Sequence, residues 1–168
     1  IDAKTMTQTG TISVVDNPVN MYEINDNIYV ISQGNYADVS AALQVINIQT
    51  ETSKVVFNDV DKITEGHNGY VYGVRSTYDA NWNPVNSFFV YNPKANEVSE
   101  TSFLKDAPAS FSSSAIYLLE VDEETGYIYV GISDYTTNGT IYQFDQTGKL
   151  IRQFDSGGIN PSTMIFID

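Results

Sequence analysis

The sequence contains no cysteine, one histidine and one tryptophan, and only 8 of its 168 residues are lysine or arginine. The absence of cysteine excludes disulfides and thiolate chemistry. The 21 acidic residues set the net charge at −13, and the few basic residues form no stripe that could follow a phosphate backbone. These features argue against nucleic acid as a partner. No apolar run approaches the roughly 18 residues of a membrane span.

The residues that are abundant favour β structure. Hydrophobic residues make up 42% of the chain and aromatic residues 12%, with twelve tyrosines among them. This apolar content excludes a disordered class. Short runs rich in Val, Ile, Thr and Tyr alternate with Gly, Asn, Asp and Pro, and no long stretch has a helical apolar period. The sequence therefore predicts an all-β protein.

A short unit recurs along the chain: an apolar residue, then Asn or Asp, a polar turn and an apolar strand. Its copies begin at Ile1-Asp2, Ile46-Asn47, Tyr91-Asn92 and Phe144-Asp145. The steps of 45, 45 and 53 residues match the spacing of a four-stranded propeller blade, roughly 40–50 residues. A Tyr-containing run precedes three of the turns, and Asn17-Pro18 returns after 143 residues as Asn160-Pro161. We predict a β-propeller of four-stranded antiparallel blades.

The repeat also predicts blade limits: a partial blade at 1–16, full blades at 17–58, 59–104 and 105–156, and the inner strand of a closing blade at 157–168. The expected strands are 9–15, 19–25, 27–33, 43–49, 53–58, 60–65, 70–76, 87–92, 97–103, 115–121, 127–133, 140–145, 149–154 and 162–167. The strands at the two ends do not complete one blade, and a chain beginning at Ile1 rather than Met predicts an upstream segment. We expect half of a larger ring, with N-terminal blades absent or supplied by a second chain.

The Tyr-rich hairpins, the turn at 144–151 and the closing Gly158-Ile159-Asn160-Pro161 resemble the YncE-like propellers of gut Bacteroidetes, a group of surface-layer-like lipoproteins and domains of unknown function. The resemblance covers essentially the whole chain. It implies the C-terminal half of a seven-bladed ring, tethered by lipid at the cell surface outside the outer membrane. Some members of that group capture cobalamin beside a TonB-dependent transporter.

The residues offer little support for catalysis, and we predict no catalytic residue, metal or cofactor. The single histidine, His67, lies in a polar turn where a surface role is the common one. No nucleophile elbow, zinc-binding His pair or phosphate-binding glycine loop is present. The run 79–83 places Asp or Asn at positions 1, 3 and 5 of a calcium loop, but position 6 is Pro84 and position 12 is Val90. An Asx-rich turn explains that run better.

Aromatic residues recur in the loops between the second and third strands of successive blades, at Tyr36, at Tyr78 and Trp82, and at Tyr135. In a propeller these loops gather on one face. Asn83 lies beside them, and Phe111 in the loop between two blades could join them. Two explanations stay open: inheritance of a structural residue, or a ring of amphipathic side chains for a large ligand.

The predicted function is that of a noncatalytic propeller module that captures a bulky small molecule. The resemblance makes a corrinoid the best single ligand and a TonB-dependent uptake system the best partner. The alternative is an interaction or surface scaffold that holds a protein and no small ligand. A lactonase-like hydrolase is the third class, disfavoured because the sequence shows no convergent His, Arg and carboxylate set.

Overall fold

The computed structural model describes residues 1–167, and strands dominate it. Its helical content within that range is one four-residue 3-10 turn, Ala109–Ser112. The strands are β1 Pro18–Ile24, β2 Asn27–Ser32, β3 Ala42–Asn47, β4 Thr52–Asn58, β5 Val60–Glu65, β6 Val71–Tyr78, β7 Pro84–Asn92, β8 Glu97–Ser99, β9 Ala115–Val121, β10 Ile128–Ser133, β11 Thr140–Phe144 and β12 Leu150–Asp155. The part of the chain that the structure describes contains no helix with the length and apolar character that a bilayer crossing requires.

The strands form three four-stranded antiparallel sheets in which sequence neighbours are spatial neighbours. The sheets run β1 to β4, β5 to β8 and β9 to β12. This arrangement confirms the predicted all-β class and the four-stranded antiparallel blades. The chain divides into two compact units, residues 1–59 with the first sheet and the residues from Val60 onward with the other two.

The Asn or Asp landmark of the repeat has one structural role in all four copies. In each, the side-chain Oδ1 accepts backbone N–H groups two to four residues further along and closes the turn. The acceptors are Asp2 (Lys4 and Thr5 amides, 2.9 Å each), Asn47 (Thr50, 2.9 Å), Asn92 (Lys94 and Ala95, 3.1 and 3.2 Å) and Asp145 (Thr147 and Lys149, 2.8 and 3.1 Å). The sequence repeat is therefore a repeated turn, and the copies at Asn47, Asn92 and Asp145 join neighbouring strands.

The larger unit has its core between its two sheets, where β5 lies beside β9. Side chains from both sheets fill it, among them Val74 and Phe88 from one sheet and Val130 and Phe144 from the other. The connection from β8 to β9 adds residues to this core. It contributes Leu104 and Phe111, both almost fully buried, and Phe103, whose ring stacks on Tyr72 with centroids 4.4 Å apart.

Three strand predictions need correction. The expected strand at 97–103 ends at Ser99, because the chain then turns inward to bury Leu104. Residues 9–15 form no strand, since no neighbouring strand offers them a hydrogen-bond ladder. That segment instead bonds to side chains of the first sheet: the Val15 amide donates to Gln44 Oε1 at 2.8 Å, and the Ser53 hydroxyl donates to the Ser13 carbonyl at 2.7 Å.

The predicted strand at 162–167 is also absent, for the same lack of a neighbouring strand. Phe166 attaches the segment to β10 by packing on Tyr129, with ring centroids 5.4 Å apart. Ile165 and Ile167 remain 80% and 92% exposed. Residue 168, the last of the predicted closing blade, lies outside the described residues.

Because extended apolar segments with unpaired backbone pair readily with other chains, we expect this protein to self-associate through residues 162–167. The double variant Ile165→Lys/Ile167→Lys should shift it toward monomer in size-exclusion chromatography with light scattering. Ser162→Lys/Thr163→Lys is the matched control, because it makes the same charge change at two exposed polar positions. A wild-type chain that stays monomeric at all concentrations would contradict this expectation.

Candidate functional site

The loops that carry the predicted aromatics share one local structure. Each contains an Asn or Asp whose side-chain Oδ1 accepts backbone N–H groups of its own loop, which holds the loop in a tight turn. The acceptors are Asn35 (Ala37, Asp38 and Val39 amides, 3.0, 3.1 and 2.9 Å), Asp79 (Asn81 and Asn83, 2.8 Å each) and Asp134 (Thr136 and Thr137, 2.9 and 2.8 Å).

One aromatic residue in each loop has a left-handed backbone. The φ angles are 58° at Tyr36, 63° at Trp82 and 67° at Tyr135. Bulky residues rarely adopt this conformation, which costs roughly 1–2 kcal/mol per residue. All three side chains are well exposed, at 80%, 79% and 60% respectively. In all three loops a strained backbone presents a large apolar side chain to solvent. This recurrence points to a functional role.

Two of these loops border a cleft of about 680 Å³ within the larger unit. One wall carries Tyr78 and Trp82, with ring centroids 6.2 Å apart at an interplanar angle of 50°. The other carries Tyr117 and Tyr135, whose rings meet edge to face at 5.7 Å. The volume falls within the range of roughly 300–1,000 Å³ that is usual for small-molecule sites.

Serine hydroxyls, which we call the floor of the cleft, also line it. All four of them donate a hydrogen bond to a protein oxygen. The bonds are Ser76 to Asn86 Oδ1 (2.8 Å), Ser113 and Ser114 to the Ser110 carbonyl (3.5 and 2.8 Å) and Ser133 to Asn160 Oδ1 (2.5 Å). Because a hydroxyl has one proton and two lone pairs, each serine retains acceptor capacity, although Ser133 Oγ already accepts the Tyr135 amide at 3.0 Å.

One ion pair also lines the cleft. Lys62 Nζ lies 3.1 Å from Asp61 Oδ2, and both side chains are partly exposed. Consecutive residues of a strand normally point to opposite faces. The register of β5 against β6 shifts between Val60 and Lys62, and this bulge lets both neighbours border the same cleft.

The ionisable groups beside Tyr135 have shifted pKa values. Burial raises the pKa of the Tyr135 hydroxyl, and its hydrogen bond with Tyr117 and the negative charge of Asp61 act in the same direction. The backbone N–H groups of Thr137 and Thr136 hold the pKa of the Asp134 carboxyl far below its ordinary value. At neutral pH Tyr135 is therefore neutral and Asp134 is ionised.

The structure brings together three of the six predicted site residues, namely Tyr78, Trp82 and Tyr135. Asn83 does not border the cleft, because its side-chain amide donates to Asp79 Oδ2 at 3.0 Å and closes the loop. Phe111 is a core residue, 2% exposed, and the expectation that it joins the surface aromatics is wrong. Tyr36 belongs to the other unit, where its hydroxyl donates to Gln33 Oε1 and accepts from Asn17 Nδ2 at 3.2 Å.

Sequence reasoning missed Tyr117, the ion pair and the serines. Tyr117 lies within β9, where a tyrosine is predicted to pack between strands. Serine is too common in the sequence for these four residues to indicate a site. The repeat nevertheless offered one signal, because residues 61 and 62 directly follow the turn between two blades. Loops at that position share the propeller face with the aromatic loops.

The other motifs singled out in the sequence lie elsewhere. The Asp79 carboxylate accepts N–H groups from its own loop, as expected of an Asx turn. Within residues 1–167 no three His, Cys, Asp or Glu side chains are grouped closely enough to hold a metal ion. His67 is exposed and borders a small pocket of about 140 Å³ with Glu65 and Glu123.

We expect Asp134 to act as the positioning residue for Tyr135. A depressed pKa stabilises the folded loop fully above the ordinary carboxyl value of about 3.9, and this stabilisation is lost only as the pH falls through the lower folded pKa. The amide signals of Thr136 and Thr137 should therefore hold their NMR shifts on acidification to pH about 4. Asp134→Ala should move both signals at neutral pH, whereas Asp134→Asn, which keeps an acceptor oxygen, should move them less. Equal shifts in the two variants would contradict the role.

No family model matches this sequence, and no curated protein matches it significantly. The solved structures that are similar to it include the following two. The β-propeller domain of the Trilobed protease from Pyrococcus furiosus, described as having an open velcro topology, has a TM-score of 0.59 at 10% identity, over 85% of this chain and 43% of that one. TolB from Acinetobacter baumannii has a TM-score of 0.55 at 15% identity, and the match covers 82% of this chain and 32% of the TolB chain.

The chain therefore spans less than half the length of either structure. At these identities the similarity establishes the fold and says nothing about ligands. It confirms the prediction of a β-propeller, while the YncE-like resemblance stays a prediction. The chain is a segment of β-propeller with an aromatic-walled cleft.

Proposed function

We propose that this chain is a noncatalytic binding module that captures a bulky small molecule in the cleft of its larger unit. The observation that carries the proposal is that two aromatic pairs, Tyr78 with Trp82 and Tyr117 with Tyr135, line one cleft together with polar side chains. Exposed aromatic faces lose contact with water when a ligand covers them, and the polar groups between them fix its orientation.

The biological setting is part of the same proposal. The YncE-like resemblance supports an extracytoplasmic protein, lipid-anchored at the cell surface, that delivers its ligand to a TonB-dependent transporter. It also makes a corrinoid the first ligand to test. The propeller fold is compatible with this setting, since propellers serve widely as binding platforms.

A protein-binding scaffold is the second candidate, and one observation favours it. Tyr78, Trp82 and Tyr135 are each at least 60% exposed, which is also how interface anchors are presented before a partner covers them. In that case the cleft would receive a side chain or loop of a partner protein.

Cobalamin titration tests the proposal, because Trp82 is the only tryptophan and borders the cleft. A corrinoid within contact distance should quench its fluorescence, and calorimetry should give a matching dissociation constant. For the ligand that binds, Trp82→Ala should weaken affinity by about thirtyfold, or about 2 kcal/mol.

Tyr36→Ala is the matched control. Tyr36 is as exposed as Trp82 and has the same left-handed backbone in the equivalent loop, but it does not border this cleft. Its loss should leave the affinity unchanged. Unchanged Trp82 emission and no heat with saturating cobalamin would exclude the corrinoid. An equal loss in both variants would remove the cleft as the binding site.

A further inference from the structure

The floor of the cleft selects for hydrogen-bond donors. Ser76, Ser114 and Ser133 donate their hydroxyl proton to a protein oxygen at 2.5–2.8 Å, and Ser113 makes a weaker bond of this kind at 3.5 Å. These serines therefore offer oxygen lone pairs to a ligand, and the Asp61 carboxylate offers lone pairs as well. A ligand that presents many O–H groups satisfies this floor. A phosphate or carboxylate ligand, which offers acceptors alone, leaves it unpaired and loses its own hydration.

The charges around the cleft favour a neutral ligand. Among residues 1–167, Lys62 is the one cation that lines it, and Asp61 neutralises this charge at 3.1 Å. Asp134 adds a negative charge that its own loop amides keep ionised. The chain as a whole carries −13, so an anion would approach against the field of the protein. Nucleotides and other anionic ligands are therefore poor candidates.

The walls add a requirement for flat apolar faces. The rings of Tyr78, Trp82 and Tyr135 line the cleft and are open to solvent. A pyranose has the matching shape, because its C–H groups form an apolar face and its hydroxyls radiate from the edge. The face can stack on an aromatic ring while the edge donates to the serines.

From these three features, and resting on the proposed binding function, we infer that the cleft binds a neutral saccharide. Pyranose rings stack against Trp82 on one wall and Tyr135 on the other, with hydroxyl groups donating to the serine floor and to Asp61. The ligand is an uncharged oligosaccharide rather than a single sugar, since the cleft of about 680 Å³ is lined by two separate aromatic pairs.

A panel of gluco-, manno-, xylo- and galacto-oligosaccharides, titrated alongside cobalamin, tests the inference. We expect at least one neutral oligosaccharide to change Trp82 emission and to shift the NMR signals of Tyr117 and Tyr135. The corresponding uronic-acid oligosaccharide should bind more weakly, because it keeps the rings and adds a negative charge. Binding of the neutral sugar should be nearly insensitive to added salt.

Ser113→Ala is the sharpest variant, since Ser113 is exposed and its internal hydrogen bond is long at 3.5 Å. Loss of this acceptor should weaken saccharide binding by about three- to tenfold without changing the fold. Ser112→Ala, one residue away and not bordering the cleft, is its control and should change nothing.

The outcomes separate this inference from the proposed function. Trp82-dependent binding of cobalamin without any saccharide would overturn the saccharide and leave the binding function standing. Tighter binding of the uronic acid than of its neutral counterpart would also overturn it. If neither cobalamin nor any oligosaccharide binds at millimolar concentration, the inference and the small-molecule function both fail, and the scaffold becomes the leading hypothesis.

Discussion

Replacing Phe111 with alanine will lower the free energy of unfolding of the larger unit by about 3–5 kcal/mol, the usual cost of removing a buried phenylalanine ring. Phe111 is 2% exposed and lies on the 3-10 turn between the two sheets. Its ring contacts Phe88 of β7 and both Tyr142 and Phe144 of β11, with centroids 6.0, 4.9 and 6.2 Å away. The alanine variant therefore leaves a cavity where the two sheets meet.

Urea unfolding followed by near-UV circular dichroism measures this effect, because Phe111 packs among aromatic rings of the same unit. Phe154→Ala is the matched control, the same substitution on β12 at a ring that is 38% exposed. It should cost about 1 kcal/mol or less, as expected of a surface position. Comparable losses in the two variants would show that Phe111 does not join the sheets.

Gly148→Ala will be the other severe variant. Gly148 closes the turn between β11 and β12 with a φ of 83°, and an added Cβ would overlap the carbonyl oxygen of Phe103. The left-handed backbone costs about 1–2 kcal/mol and the overlap about 1–3 kcal/mol, so we expect a loss of roughly 2–5 kcal/mol. The clash cannot relax easily, because the Lys105 amide donates to the Gly148 carbonyl at 2.8 Å and fixes the two segments together.

Gly157→Ala separates the two contributions. Gly157 has a similar φ of 74°, but an added Cβ there would meet no atom within 4 Å. Its loss of unfolding free energy should therefore reflect the backbone alone, about 1–2 kcal/mol. The difference between the two variants, measured by the same urea titration, is the cost of the overlap. A Gly148→Ala variant as stable as Gly157→Ala would contradict the close packing of that turn.

Strand order and turn positions were predictable because both depend on local chemistry. Asn47, Asn92 and Asp145 close their turns through their own side chains, so their spacing shows where each pair of strands meets. The segments 9–15 and 162–167 have strand-like sequences but form no strand, because a strand also requires a neighbour, which local sequence cannot specify.

The candidate site was predictable only in part, for a similar reason. Tyr78, Trp82 and Tyr135 follow from their place in the repeat. Phe111 was misplaced because its loop looked polar, although Phe103 and Leu104 in the same connection indicated that it enters the core. The partners across the cleft, such as Tyr117, depend on how two sheets pack, and a single sequence does not encode this in any local pattern.

In the loops that present the aromatic side chains, one residue closes the turn and a different residue carries the exposed side chain. In two of them the residue that closes the turn, Asn35 or Asp134, is the neighbour of the residue that faces solvent; in the third, Asp79 closes the turn and Trp82 is displayed three positions later. The displayed residue can therefore change while the turn and its sheet stay intact. Positions 82 and 135, which border the cleft, are therefore suited to randomised libraries, in which one propeller scaffold could acquire new binding preferences through evolution or design.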